Sequence, residues 1–199
     1  MQCQKSAWVG GLRGAEQLLA AHGKRKILAH GRDVARKARE IGEGFGLDGD
    51  VLFLAGLCHD VGGVMTPDEM RKGAASRGIV LDPAEDAYPF LLHQRFSRIL
   101  CEEALDIRDE RVLCAVECHT TLWSRPSAYD MALYLADKLA WDQPGEPPYG
   151  AAVQAALEVS LEAACLAQID YLFAKDMILY PHRWLLEARC WLASFEKGN

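Results

Sequence analysis

An apolar run, Leu52–Cys58, leads directly into a His59–Asp60 pair and is followed by two glycines, in the segment LFLAGLCHDVGG. A stretch apolar on every face reads as a helix buried on all sides, so the remaining chain must pack around it. Gly62 and Gly63 are expected to supply the left-handed backbone that stops such a helix. Adjacent side chains on a helix diverge by about 100°, so His59 and Asp60 can grip neighbouring points of one pocket. An imidazole and a carboxylate at the end of a greasy helix are costly unless their charge is compensated. A metal ion would compensate it.

The segments around this run are also helical. Ala15–Ala21 is a short helical piece ended by His22 and Gly23. Lys24–Gly44 carries Ile27, Val34, Ala38 and Ile41 on one face, and His30 shares that face. Gly44–Gly49 is a turn, with Asp48 or Asp50 capping the next helix. Thr66-Pro67-Asp68-Glu69 forms a capping box for a helix running to Gly78. Ile79–Tyr88 reads as a connecting loop. Phe90–Leu105 is a helix with His93 in its first turn, and Val112, Ala115, Val116 and His119 form the inner stripe of another. Leu122–Ser127 is a loop, and Ala128–Trp141 is a helix with Tyr134, Asp137 and Trp141 on one stripe. After the break at Asp142–Tyr149, Gly150–Phe173 and Pro181–Phe195 read as two more helices. Nothing alternates with period two. The fold expected is all-α, one helical-bundle domain over residues 1–199, with a core at 24–142 and C-terminal helices at 150–199 that cover a pocket or form a homodimer face.

Composition narrows the partners. A net charge of −6 over 199 residues argues against a nucleic-acid polymer or an anionic membrane surface. It does not oppose a small phosphate ligand, because a bound metal inverts the local field. No apolar run reaches the length of a membrane span, and the N-terminus lacks the order of a signal peptide. Seven cysteines without CxxC spacing read as reduced thiols of a cytoplasmic protein. Cys114 and Cys118 stand four apart with no second pair to complete a thiolate site, which favours packing.

Four histidines and two aspartates remain, each on an inward stripe or at a helix end: His30, His59, Asp60, His93, His119 and Asp137. Imidazole and carboxylate suit Fe, Mn, Zn or Mg. Asp60 can bridge two such ions, with the histidines and Asp137 completing their shells. The order H…HD…H…H…D resembles the HD-domain superfamily of metal-dependent phosphohydrolases. LLH at His93, HTT at His119–Thr121 and LAD at Leu135–Asp137 followed by Lys138 are similar to the bacterial symmetrical diadenosine-tetraphosphate hydrolases. The resemblance implies a helical bundle of HD type. It also implies two divalent or mixed-valence metals, iron first and Mn, Zn or Mg next, on the six residues named, with Asp60 and His59 at the chemistry. The reaction implied is cleavage of a dinucleoside tetraphosphate to two nucleoside diphosphates.

Around that core, Thr120, Thr121, Arg125 and Lys138 are candidate substrate contacts. The chain departs from the family where Val61-Gly62-Gly63 carries no lysine, where Leu122 replaces the glycine after HTT, and where Asp142–Pro147 is acidic in place of a phosphate-side arginine. These departures keep three alternatives open: a nucleoside monophosphate or second-messenger phosphohydrolase, an oxygen-activating di-iron enzyme, and a nucleotide-binding sensor with a degenerate site. Each histidine also has a plain reading as a satisfied core residue. His22 and His182 read as helix-terminal structural residues, and Trp123, Trp141 and Tyr149 as loop anchors.

Overall fold

The apolar segment forms α3 (Gly49–Cys58), the central helix of the computed structural model, which describes residues 2–196. Residues 1 and 197–199 of the expected domain lie outside the described residues. Seven side chains or backbones of α3 are buried, and Asp48 caps it by accepting from the Asp50 and Val51 amides at 3.1 and 3.4 Å. Helix α2 (Arg25–Gly44) crosses α3 so closely that a Cβ on Gly56 would lie 2.5 Å from Ala35 Cα. That backbone approach explains a glycine within an apolar helix. α2 buries Val34, Ala35, Ala38 and Ile41, the stripe expected from its spacing.

Around this pair pack α1 (Gln2–Ala21), α7 (Glu110–Cys118) and α8 (Ala128–Leu139). α6 (His93–Glu103) lies on α7, and α4 (Pro67–Ser76) is tied to α6 through a small apolar cluster of Met70, Ala74, Leu92 and Phe96. α9 (Gly150–Leu157), α10 (Leu161–Ala174) and α11 (Arg183–Glu196) follow, with Val153, Leu161, Ala164, Ile169, Leu185, Ala188 and Leu192 joining the main core. Among the described residues there is no strand, and no helix is long and apolar enough to cross a membrane. Cys58, Cys101, Cys114, Cys118, Cys165 and Cys190 are free thiols.

Several local expectations change. Gly62 and Gly63 do not take the left-handed conformation; the positive-φ glycines are Gly23, Gly46, Gly78 and Gly145. After Asp60 the chain continues into a 3₁₀ turn, Val61–Val64. Glycine is needed there for space: a Cβ on Gly62 would lie 2.3 Å from the His93 carbonyl oxygen, and one on Gly63 would lie 2.6 Å from Ile27 Cδ1. The expected Gly150–Phe173 helix is two, because Ser160 caps α10 by accepting from the Ala163 amide at 3.0 Å. The Ile79–Tyr88 connection contains α5 (Pro83–Ala87), started by an Asp82–Glu85 capping box. α1 begins well before Ala15, α4 stops at Ser76, and α8 stops at Leu139, which leaves Trp141 beyond it.

Candidate metal centre

All six expected ligands meet in one place. His30 comes from α2, His59 and Asp60 from the end of α3, His93 from the first position of α6, His119 from the end of α7 and Asp137 from α8. Three of the rings are fixed in the same way. The Nδ1–H groups of His59, His93 and His119 donate to the carbonyls of Gly56, Phe90 and Val116, three residues earlier, at 2.7, 2.7 and 2.8 Å. A carbonyl can only accept, so each Nδ1 carries a proton and each ring turns its Nε2 inward, a lone pair wherever the ring is neutral.

These Nε2 atoms converge on the carboxylates of Asp60 and Asp137 and on one another. Asp60 Oδ1 lies 3.2 Å from His93 Nε2 and 3.4 Å from His119 Nε2, and those two nitrogens are 3.0 Å apart. His59 Nε2 is buried, lies 3.6 Å from Asp60 Oδ2 and 3.5 Å from Asp137 Oδ1, and makes a hydrogen bond with neither. Asp137 Oδ1 pairs with His30 Nε2 at 3.0 Å, and its Oδ2 accepts from Lys138 Nζ at 2.7 Å. Three overlapping triads result: His30–His59–Asp60, His59–His119–Asp137 and Asp60–His93–His119, each with ligand atoms within 4.8 Å of one another. A part-buried cluster of two carboxylates and inward-turned imidazole nitrogens is stabilised by positive charge, from a protonated ring or from a metal. The donor set therefore fits a divalent cation.

Residues 27–142 match the HD domain family. This chain belongs to the HD domain family. All six ligand candidates fall inside the matched span. An uncharacterised protein from the pepC 5′ region of Lactococcus lactis subsp. cremoris is 39% identical over 137 residues, 69% of this chain and 70% of that protein. A Clostridium acetobutylicum crystal structure, described as a predicted HD superfamily hydrolase involved in NAD metabolism, superposes with a TM-score of 0.80 at 25% identity, covering 91% of this chain and 96% of that one.

The electrostatics of this HD domain agree with the geometry. Burial works to lower the His59 pKa, but Asp60, Asp137 and the Gly56 carbonyl outweigh it and raise it to about 9. Burial, helped by repulsion from His59 and His93, lowers His119 to about 4, so that ring is neutral at pH 7. Burial pushes Asp60 and Asp137 up, yet the surrounding imidazoles, and Lys138 for Asp137, hold both well below the usual carboxylate range. The site is a trap for positive charge before any metal is considered.

A cavity of about 390 Å³ opens beside the cluster, lined by Thr120, Thr121 and Lys138 at its polar end. Leu91, Leu172, Ile178 and Leu185 give it apolar walls. Thr120 Oγ1 is 3.2 Å from His93 Nε2. Thr121 is buried and its hydroxyl donates to the Leu122 carbonyl at 2.9 Å. Arg125 lies elsewhere: it is exposed, in the left-handed conformation at the tip of its loop, and it does not line this cavity. Trp123 donates to Asp130 and Trp141 packs edge-on against Tyr149, as anchors.

The sequence reading left the role of the C-terminal segment undecided. It covers the pocket: Met177 to Tyr180 and His182 form one wall. His182 is 3% exposed, and its Nδ1 accepts from the Trp184 amide at 3.1 Å. Pro181-His182 at a helix start gave the only hint of this, and it equally describes a plain cap.

Proposed function

We propose that the protein is a metal-dependent phosphohydrolase acting on a nucleotide, with symmetrical cleavage of a dinucleoside tetraphosphate to two nucleoside diphosphates as its reaction. The observation that carries this reading is the junction of the acceptor cluster with a cavity that is apolar along its walls and carries Lys138 and Thr120 at the cluster end. The LLH, HTT and LAD-Lys sequences support the substrate choice by their resemblance to that hydrolase subfamily.

His30, His59, Asp60, His93, His119 and Asp137 would hold the metal, two ions per chain with iron the first candidate. Bound metal supplies an acidified water and polarised phosphoryl oxygens. The chain supplies the rest. Lys138 offers a point charge to a phosphate oxygen, held in place by Asp137 and by the ring of Tyr134 at 5.2 Å. Thr120 offers a hydroxyl to the same group. Leu91, Leu172 and Leu185 exclude water around a nucleoside.

A second reading draws on the Clostridium acetobutylicum neighbour, whose description ties it to NAD metabolism: the substrate is then a pyridine nucleotide, cleaved by the same centre. Anaerobic purification with metal analysis, then a panel of diadenosine tetraphosphate, NAD, nucleoside mono-, di- and triphosphates and a generic phosphodiester, separates the two. About two metals per chain with ADP formed from the tetraphosphate is the expected result. Two metals with turnover of NAD alone moves the assignment to the second reading. A chain that binds no metal overturns both.

A further inference from the structure

A substrate with a nucleoside at each end needs two places for a base, and the cavity beside the cluster has room for one nucleoside at about 390 Å³. We propose that Phe90, with Tyr88 beside it, is an open platform on which the second base of a dinucleotide stacks. This rests on the two-nucleoside substrate proposed above.

The geometry at Phe90 is specific. One face of its ring lies on the ring of His93, with centroids 4.8 Å apart and planes 19° from parallel. Its own carbonyl holds His93 Nδ1. The ring is therefore fixed against the Asp60–His93–His119 end of the cluster, and yet Phe90 remains 40% exposed. Tyr88 stands next to it, with ring centroids 6.2 Å apart, and is 54% exposed. Pro89 stiffens the 3₁₀ turn Pro89–Leu92 that carries the platform.

Tyr88 also lines the cavity, whereas Phe90 lies outside its lining. The platform thus begins where the cavity ends, with the cluster alongside both. A polyphosphate crossing the cluster from a base in the cavity would bring its other base to this rim. Aromatic stacking accepts any base, because every base has a π-face.

A larger cavity of about 730 Å³, between α6 and α11, serves this role less well. It meets the first cavity at His182, and its inner arginines are already paired, Arg95 with Glu85 and Arg98 with Glu110 and Glu117.

The test compares two-base and one-base ligands on the metal-loaded protein. Calorimetry gives Kd for a non-hydrolysable diadenosine tetraphosphate and for adenosine tetraphosphate, and kinetics gives KM for the hydrolysable forms. Wild type should bind the two-base ligand more tightly. Phe90→Ala should weaken that ligand about tenfold or more, the worth of one base on one ring, with a much smaller shift for the one-base ligand. Phe90→Trp should restore the preference. Metal content per chain is measured for each variant, because disturbance of His93 would weaken both ligands together.

Equal affinity of wild type for the two ligands overturns the platform, as does a Phe90→Ala shift of the same size on both. Tight, Phe90-dependent binding of the two-base ligand without its cleavage leaves the platform standing and refutes the proposed reaction instead.

Discussion

With His59 among the proposed ligands, metal affinity should depend on pH in a way that can be calculated. In the metal-free site the His59 pKa is raised to about 9, so at pH 7.5 the ring is an imidazolium. Coordination needs the neutral ring, so binding must expel a proton. The gap of ~1.5 pH units corresponds to ~2 kcal/mol, or roughly a thirtyfold loss of apparent affinity at pH 7.5 relative to a pH above 9.

His119, lowered to about 4, and the two depressed aspartates release nothing at that pH. Metal titrations by calorimetry, in two buffers of different ionisation enthalpy, count the protons. About one should come from His59, and it should vanish in His59→Gln. Wild type that releases no proton at pH 7.5, or a His59→Gln variant that releases as many, would refute the reasoning. The same shift sets the stability of the apoprotein. Because the folded pKa lies above the unfolded value, His59 stabilises the metal-free fold fully below about pH 6.5, and that contribution disappears as pH rises through about 9.

Four substitutions probe other parts of the structure. Asp60→Ala removes the carboxylate shared by two triads and should cost far more metal affinity than the roughly 10–100-fold of an outer-shell change, read by metal analysis with helicity checked by circular dichroism. Gly62→Ala places a methyl 2.3 Å from the His93 carbonyl and 2.8 Å from the Ser97 amide; neither backbone can yield cheaply, so a loss of ~1–3 kcal/mol is expected in denaturant unfolding. Lys138→Ala should lower kcat/KM on phosphate substrates by roughly ten- to a hundredfold, the worth of a charge-assisted hydrogen bond, with metal content retained. Tyr134→Phe strips the buried Gln168 of its hydroxyl partner and should cost ~1–3 kcal/mol in thermal or chemical unfolding without touching activity.

The fold class and the meeting of the six candidate residues were legible because both depend on residue type at helical spacing. α2, α3, α7 and α8 bury the stripes that their sequences display, and His30, His59, His119 and Asp137 sit on or at the end of those stripes. Capping chemistry was legible at Thr66, and the same Asp-Pro-Ala-Glu logic at Asp82 was hidden because a five-residue helix carries no periodicity of its own. The Glu158–Ser160 break was masked by largely apolar text on both sides.

The glycines after Asp60 show a deeper limit. A glycine can signal a left-handed turn or a close neighbour, and the neighbour of Gly62 is His93, thirty-one positions along the chain. The cavity was invisible for the same reason. Its walls come from Tyr88, Leu91, Leu172, Met177 to Tyr180 and Leu185, residues that read as ordinary packing until the chain is closed.

The contact between His30 and Asp137 joins residues 107 positions apart, and the other proposed ligands are strung along the chain between them. A cation held by this set is a removable cross-link that ties five segments of the main chain together at a single point. Closing so long a loop is an entropic cost borne by the folded state alone, and an ion that binds only the closed form returns it in proportion to its concentration. The thermal midpoint of this protein should therefore climb with the logarithm of free metal, which makes the fold itself a gauge of how much metal its surroundings supply.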